Sequence, residues 1–195
     1  DISADGRFVL FTLDEYGDVK LDPKGPADQT QQSGPLYRKD MDTGDIVRVD
    51  VLSDGSYVTP MMGVESAAIS ADGNYVVFEH YNTQYAGESV SQGGHVYWKN
   101  LTTGELRVVD IKPDGTPSDM QAGSGGYGIS ISGDGQYVAF LHTADLDGSG
   151  AYFSDLVPGI TGISQYANVF VRDMSKETND AILLVNSSEL GAPSN

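Results

Sequence analysis

Apolar residues in this chain fall in short runs of five or six, broken by turns and arranged in a pattern that recurs three times. The first copy reads Ile2-Ser3-Ala4-Asp5-Gly6-Arg7-Phe8-Val9-Leu10-Phe11. The second runs from Ile69-Ser70-Ala71-Asp72-Gly73 through Tyr75-Val76-Val77-Phe78, and the third from Ile131-Ser132-Gly133-Asp134-Gly135 through Tyr137-Val138-Ala139-Phe140. The spacing is 67 residues from Asp5 to Asp72 and 62 from Asp72 to Asp134. A repeat of that length marks a supersecondary unit that buries its apolar face against its neighbours. The runs are rich in Val, Ile, Tyr and Phe and lack a 3.6-residue period, which predicts strands rather than helices. An Asp-Gly pair between two such runs predicts a hairpin, because glycine accepts positive φ without a Cβ clash.

Each hairpin is followed by a second shared phrase. It reads Leu36-Tyr37-Arg38-Lys39-Asp40-Met41, then Val96-Tyr97-Trp98-Lys99-Asn100-Leu101, then Val169-Phe170-Val171-Arg172-Asp173-Met174. A turn comes next, Asp42-Thr43-Gly44-Asp45 and Thr102-Thr103-Gly104-Glu105; the third copy is longer, Ser175 to Asp180. A last apolar run, Ile46–Val51, Leu106–Ile111 or Ala181–Val185, closes each unit. This predicts four antiparallel strands per unit: a before the Asp-Gly turn (Ser66 to Ser70 in the second unit), b after it, then c and d. Strand b is apolar on both faces, as for a strand held between neighbouring sheets. Strand c alternates, with Tyr37, Tyr97 and Phe170 flanking Lys39, Lys99 and Arg172, which predicts a half-exposed strand near the rim. Four-stranded antiparallel units repeated along a chain are β-propeller blades.

The phrases resemble the TolB-like propeller repeat, a WD-like repeat with a Pro-Asp-Gly turn. The segment from Leu156-Val157-Pro158-Gly159 to Asn168-Val169-Phe170-Val171-Arg172-Asp173-Met174 is similar to a bacterial variant with a Leu-Val-Pro-Gly loop before strand c. The turn proline is replaced here by Ala4, Ala71 and Gly133, and the polar stretch usual after that loop by Ile160-Thr161-Gly162-Ile163. The resemblance implies an all-β propeller serving as a binding scaffold. It covers translocation components, cell-surface proteins and propellers attached to hydrolases, and it selects no ligand.

On this reading the 195 residues form one array, with blades at about 1–52, 64–112 and 126–187 and the start of a connector at 188–195. The first blade lacks most of strand a. Three blades do not close a ring, since propellers have about four to eight. The array is therefore expected to be part of a larger propeller, or a half-propeller completed by another chain or further copies of this one.

A formal net charge of −17 and a pI near 4.2 speak against nucleic acid and anionic membrane surfaces. They suit cations or basic protein partners, or simply a solvated acidic surface. Cysteine is absent, so disulfides, thiolate metal sites and a Cys nucleophile are excluded. No apolar run reaches the roughly 18 to 20 residues of a membrane-spanning helix. These features fit an exported protein, periplasmic, cell-surface or extracellular, and equally a cytosolic one.

Candidate chemistry lies in the loops between strands b and c: Thr12 to Pro35, Glu79 to Gly94 and Leu141 to Ala167. Their equivalent places in successive units put them on one face, a candidate binding surface. Asp145-Leu146-Asp147-Gly148-Ser149-Gly150 matches the first half of a calcium loop, with oxygen donors at positions 1, 3 and 5 and glycine at 6. Asp145, Asp147, Ser149, the carbonyl of Ala151 and Asp155 are the candidate ligands. The second half departs, with Leu156 in place of the bidentate Glu, so an acidic turn without an ion is the alternative. A looser acidic set is Asp14, Glu15, Asp18 and Asp22. His80, His95 and His142 read as structural; His80 and His142 occupy the same position in different units. Trp98 reads as a packing residue. Asn100-Leu101-Thr102 and Asn186-Ser187-Ser188 fit the glycosylation triplet. The chain has no Gly-x-Ser-x-Gly elbow, His-Glu-x-x-His or phosphate loop. Gly123 to Gly128 is Gly-rich but leads into a strand, so it lacks the helix N-terminus that binds anions. The expected function is a non-enzymatic binding or assembly module. An accessory propeller of a hydrolase is the alternative, and a propeller enzyme using carboxylates or calcium is a third class.

Overall fold

A computed structural model describes residues 1–13, 21, 34–57, 63–81, 94–119, 128–143, 145–146, 152–164, 168–177, 181–189 and 192–193. Among these residues there are strands and turns and no α-helix. The first sheet contains β1 (Phe8–Thr12), β2 (Leu36–Asp40) and β3 (Ile46–Arg48). The second is four-stranded: β4 (Val64–Ile69), β5 (Tyr75–His80), β6 (His95–Asn100) and β7 (Leu106–Val108). The third takes β8 (Ile129–Ile131) and β9 (Tyr137–His142), and later β12 and β13. Between β9 and β12, β10 (Asp145–Leu146) pairs with β11 (Tyr152–Phe153). β12 (Asn168–Asp173) and β13 (Ile182–Leu184) then complete the third sheet in the order β13-β12-β9-β8. β14 (Ser187–Glu189) and β15 (Ala192–Pro193) form a further pair.

All sheet pairings are antiparallel, in the a-b-c-d order expected of blades. The first sheet has only a remnant of strand a, where Ile2 bridges Val9 and the Asp1 amino group donates to the Leu10 carbonyl at 2.9 Å. The Ser-x-Asp-Gly phrase builds its turn from side chains as well as backbone. In the second copy the Ser70 hydroxyl donates to Asp72 at 2.6 Å and accepts the Tyr75 N–H at 3.0 Å, while Asp72 accepts the Asn74 N–H at 3.0 Å. Ser3 with Asp5 and Ser132 with Asp134 repeat it. Gly6, Gly73 and Gly135 all have positive φ, between 73° and 75°.

The sheets stack face to face in chain order. One core joins Leu10, Leu36 and Val49 of the first sheet to Val76, Phe78 and Tyr97 of the second. The other joins Val77, Val96 and Trp98 of the second to Val138, Phe140 and Phe170 of the third. β5 is thus buried on both faces, as its continuous apolar sequence requires. Backbone bonds cross both junctions, from Ala4 N–H to the Ala71 carbonyl and from Ala71 N–H to the Gly133 carbonyl, each 3.0 Å. Phe8 lies over the turn of the second sheet and Tyr75 over that of the third. A Cβ on Gly73 would sit 2.2 Å from Phe8 Cδ2, and one on Gly135 2.2 Å from Tyr75 Cδ2.

Strand c departs from expectation. Lys39 is half-exposed as expected, but the charged positions of the second and third sheets are buried: Lys99 is 4% exposed and Arg172 2%. The Lys99 ammonium donates to the carbonyls of Val49 and Val51, at the end of the first sheet's last strand. Arg172 Nη1 does the same to Val108 and Val109 of the second sheet. Alternation along the strand separates the two buried faces. Tyr97, Lys99, Phe170 and Arg172 point to the preceding sheet, and the cation is tolerated because carbonyl oxygens receive its protons.

Candidate functional site

A polar network lies at the junction of the second and third sheets. Part of it is common to all three units. The first residue of the strand-c phrase must place its N–H where no neighbouring strand remains to accept it. Leu36, Val96 and Val169 donate that N–H to Asp50, Asp110 and Asn186, each at 3.0 Å. Each acceptor sits just past strand d and has its own partner. Arg48 grips Asp50 with Nε at 3.0 Å and Nη2 at 2.9 Å. His95 Nδ1 lies 2.7 Å from Asp110 Oδ2, both side chains fully buried. Asn186 donates to Asn168 Oδ1 at 3.1 Å. Burial works against a charged His95, but the bond to Asp110 and its charge outweigh it and raise the pKa. The His95–Asp110 pair is therefore one version of a repeated structural clasp.

Ser118, His142 and Asp155 form the second part of the network. A loop closed by the Ile111–Pro117 bridge carries Ser118, whose N–H donates to the Asp110 carbonyl at 2.8 Å. The Ser118 Oγ lies 2.8 and 2.7 Å from the two Asp155 oxygens and 3.0 Å from His142 Nε2. Asp155 also accepts the Asp119 N–H at 2.9 Å. His142 Nδ1 lies 2.8 Å from the Thr143 carbonyl, which only accepts, so this nitrogen carries a proton. With the hydroxyl proton on Asp155, Nε2 must also be protonated; with a neutral ring, the hydroxyl turns to Nε2. Burial pushes the His142 pKa down, while Asp110 and Asp155 act against that shift. A nucleophilic triad has its carboxylate on the histidine. Here the carboxylate holds the serine, which is fully buried. The arrangement can pass a proton among three groups, and it ties three chain segments together.

Of the expected calcium ligands, Asp145 lies on β10 opposite Phe153 in the backbone register. Asp147, Ser149 and Ala151 lie outside the described residues, as do Asp14, Glu15, Asp18 and Asp22. Asp155 belongs to the Ser118 network. Among the described residues, no three His, Asp or Glu side chains converge as metal ligands. The three b–c loops leave from equivalent strand ends, Thr12 opposite Leu36, His80 opposite His95 and His142 opposite Asn168, and so share one side of the array. Most of their length is outside the described residues. Trp98 is 6% exposed, stacks on Tyr75 with centroids 5.3 Å apart and donates to the Gly135 carbonyl at 2.8 Å. Asn100 Oδ1 accepts the Thr102 N–H at 2.9 Å. Ile160 and Ile163, where the resembling repeat is polar, are buried with Phe140 and Phe170.

Sequence reasoning missed the clasp residues Asp50, Asp110 and Asn186, and Ser118 with them. A signal was available for the first three: each follows the strand-d run at the same offset. It also missed a second Asp-Gly turn, Asp54-Gly55 and Asp114-Gly115, in which Leu52 bonds to Ser56 and Lys112 to Thr116.

No family model and no curated protein matches the sequence. Solved structures similar to the fold include hydrazine synthase of Kuenenia stuttgartiensis, at 16% identity and a TM-score of 0.42, covering 98% of this chain and 42% of that one. A protein assigned as TolB from Agrobacterium tumefaciens matches at 15% identity and a TM-score of 0.42, covering 94% and 48%. The chain spans less than half the length of either.

Proposed function

We propose that this chain is a run of blades in a TolB-like propeller, working outside the cytoplasm as a non-enzymatic scaffold that binds a protein partner or further blades, including copies of itself. The observation that carries the reading is the outward face of the third sheet. Tyr137 is 45% exposed, Leu183 63% and Val185 53%. The equivalents of Tyr137 are Phe8 and Tyr75, which cover the Asp-Gly turn of the following sheet. The face thus has the apolar chemistry of a blade junction: an aromatic seat for a glycine turn beside an exposed apolar strand. Blade 1 offers the counterparts, Gly6 and Lys39, the latter at the strand-c position of Lys99 and Arg172.

Light scattering of the purified chain over a range of concentrations tests the self-assembly form of this reading. The expected result is reversible association of the parent, abolished in Leu183→Asp and weakened in Tyr137→Ser, with circular dichroism unchanged. A parent that stays monomeric at high concentration would overturn it.

A further inference from the structure

Three arginines show what this protein does with a guanidinium fork. Arg7 grips Asp40 with Nε at 3.1 Å and Nη2 at 2.7 Å, and Arg48 grips Asp50 in the same way. Nε and Nη2 form the edge that matches two oxygens of one carboxylate or phosphate. Arg172 turns a different edge to the protein. Its bonds all come from Nη1, to the carbonyls of Val108 and Val109. Its Nε–H is buried without a hydrogen-bond partner, in a side chain only 2% exposed.

Arg172 lines a cavity of about 270 Å³ between the second and third sheets, together with Arg107, Ile111, Thr116 and Pro117. Arg107 brings a second guanidinium, fixed by its bonds to the carbonyls of Met174 and Lys176 at 2.6 and 3.3 Å. Burial, joined by the charge of Arg107 and opposed by Asp110, lowers the pKa of Arg172 to about 10. Two cations, one of them with a buried Nε–H that no acceptor receives, are an anomaly inside a chain of net charge −17, and an anion would relieve it.

We infer that this cavity is a binding site for a small oxyanion, a carboxylate or phosphate, received on the Nε and Nη2 edge of Arg172 and steadied by Arg107. The inter-sheet bond is a separate duty of the same residue, because Lys99 performs it at the preceding junction with no fork at all. That separation makes Arg172→Lys a usable variant: it keeps the cation-to-carbonyl bond and removes the fork.

The experiment is thermal unfolding of the parent, Arg172→Lys and Arg107→Gln in sodium phosphate or sodium acetate, each against sodium chloride at equal ionic strength. A ligand that binds only the native state raises Tm with its concentration. The expected result is a Tm rise specific to the oxyanion in the parent, lost in Arg172→Lys and reduced in Arg107→Gln. A rise in phosphate alone identifies a tetrahedral anion, and a rise in both identifies the two-oxygen edge as the recognised feature. Identical behaviour in oxyanion and chloride, or an undiminished rise in Arg172→Lys, would overturn the site. If Arg172→Lys fails to fold, loss of the phosphate-dependent rise in Arg107→Gln supports the site and its full retention counts against it.

Discussion

Lys99 donates its ammonium proton to the carbonyl of Val49 at 3.0 Å, across the junction between the first two sheets. Arg172 makes the equivalent contact one blade later. A cation from one strand c thus fastens the last strand of the blade before it, twice in succession, where the amino-acid pattern reads as a solvent-facing charge.

Substitutions at Lys99 separate charge from packing. Lys99→Arg is expected to be near neutral, since Arg172 shows that a guanidinium fits the position. Lys99→Met leaves the Val49 and Val51 carbonyls without their donor and should cost about 1–3 kcal/mol. Urea denaturation checks both, and a Met variant as stable as the parent would remove the bond from the account of the junction.

Lys99 also has a pH signature. Burial lowers its pKa from 10.5 to about 8, against the weaker pull of Asp50. Between those values the unfolded chain binds a proton that the folded chain does not, so this residue makes stability rise with pH there. Lys99→Arg stays charged to higher pH, as the value of about 10 for buried Arg172 indicates, and should lack that contribution between pH 7.5 and 9. The two proteins are compared by denaturation at pH 7.5, 9 and 10.

His95 contributes with the opposite sign. Its folded pKa is raised, so its stabilisation is full below the unfolded value of 6.5 and is lost as pH rises through the folded one. His142, lowered by burial, destabilises only as pH falls below 6.5. His95→Gln should therefore flatten the decline above pH 6.5 and leave the acid limb in place. An unchanged profile above pH 6.5 would mean that the Asp110 bond does not depend on the charged ring.

Gly73 and Gly44 share a positive φ, 73° and 80°, but only Gly73 faces a neighbour. Gly44→Ala should cost about 1 kcal/mol through backbone strain alone. Gly73→Ala adds a clash with Phe8 and should cost about 2–3 kcal/mol more. In a Phe8→Ala background, which removes the ring but keeps Cβ 3.0 Å away, most of the excess should disappear, a coupling that a double-mutant cycle measures directly. Equal costs at the two glycines would show that the Asp-Gly turn does not form the blade junction.

The Asp145, Asp147 and Ser149 loop supplies a calcium test. A bound ion would make Tm climb with calcium, and Asp147→Ala would cancel the climb. Equal shifts in parent and variant, or none, leave an acidic turn.

The local elements were legible in the amino-acid order because their causes are local. Gly6, Gly73 and Gly135 mark hairpins through a φ that side-chain-bearing residues resist, and the Val-rich run of β5 declares burial on both faces. Trp98 could be read as a packing residue for the same reason. The fate of Lys99 and Arg172 could not, because alternation separates two faces of a strand without saying what covers each. Their burial depends on carbonyls 48 to 64 residues earlier, brought within reach only by stacking one sheet on another. Ser118, His142 and Asp155 come from three segments with no common pattern, and the open fork of Arg172 is defined by which of its protons its neighbours leave unused. Repetition and turn chemistry determined the blades; the partners of buried polar groups are long-range contacts, and tertiary packing alone decided them.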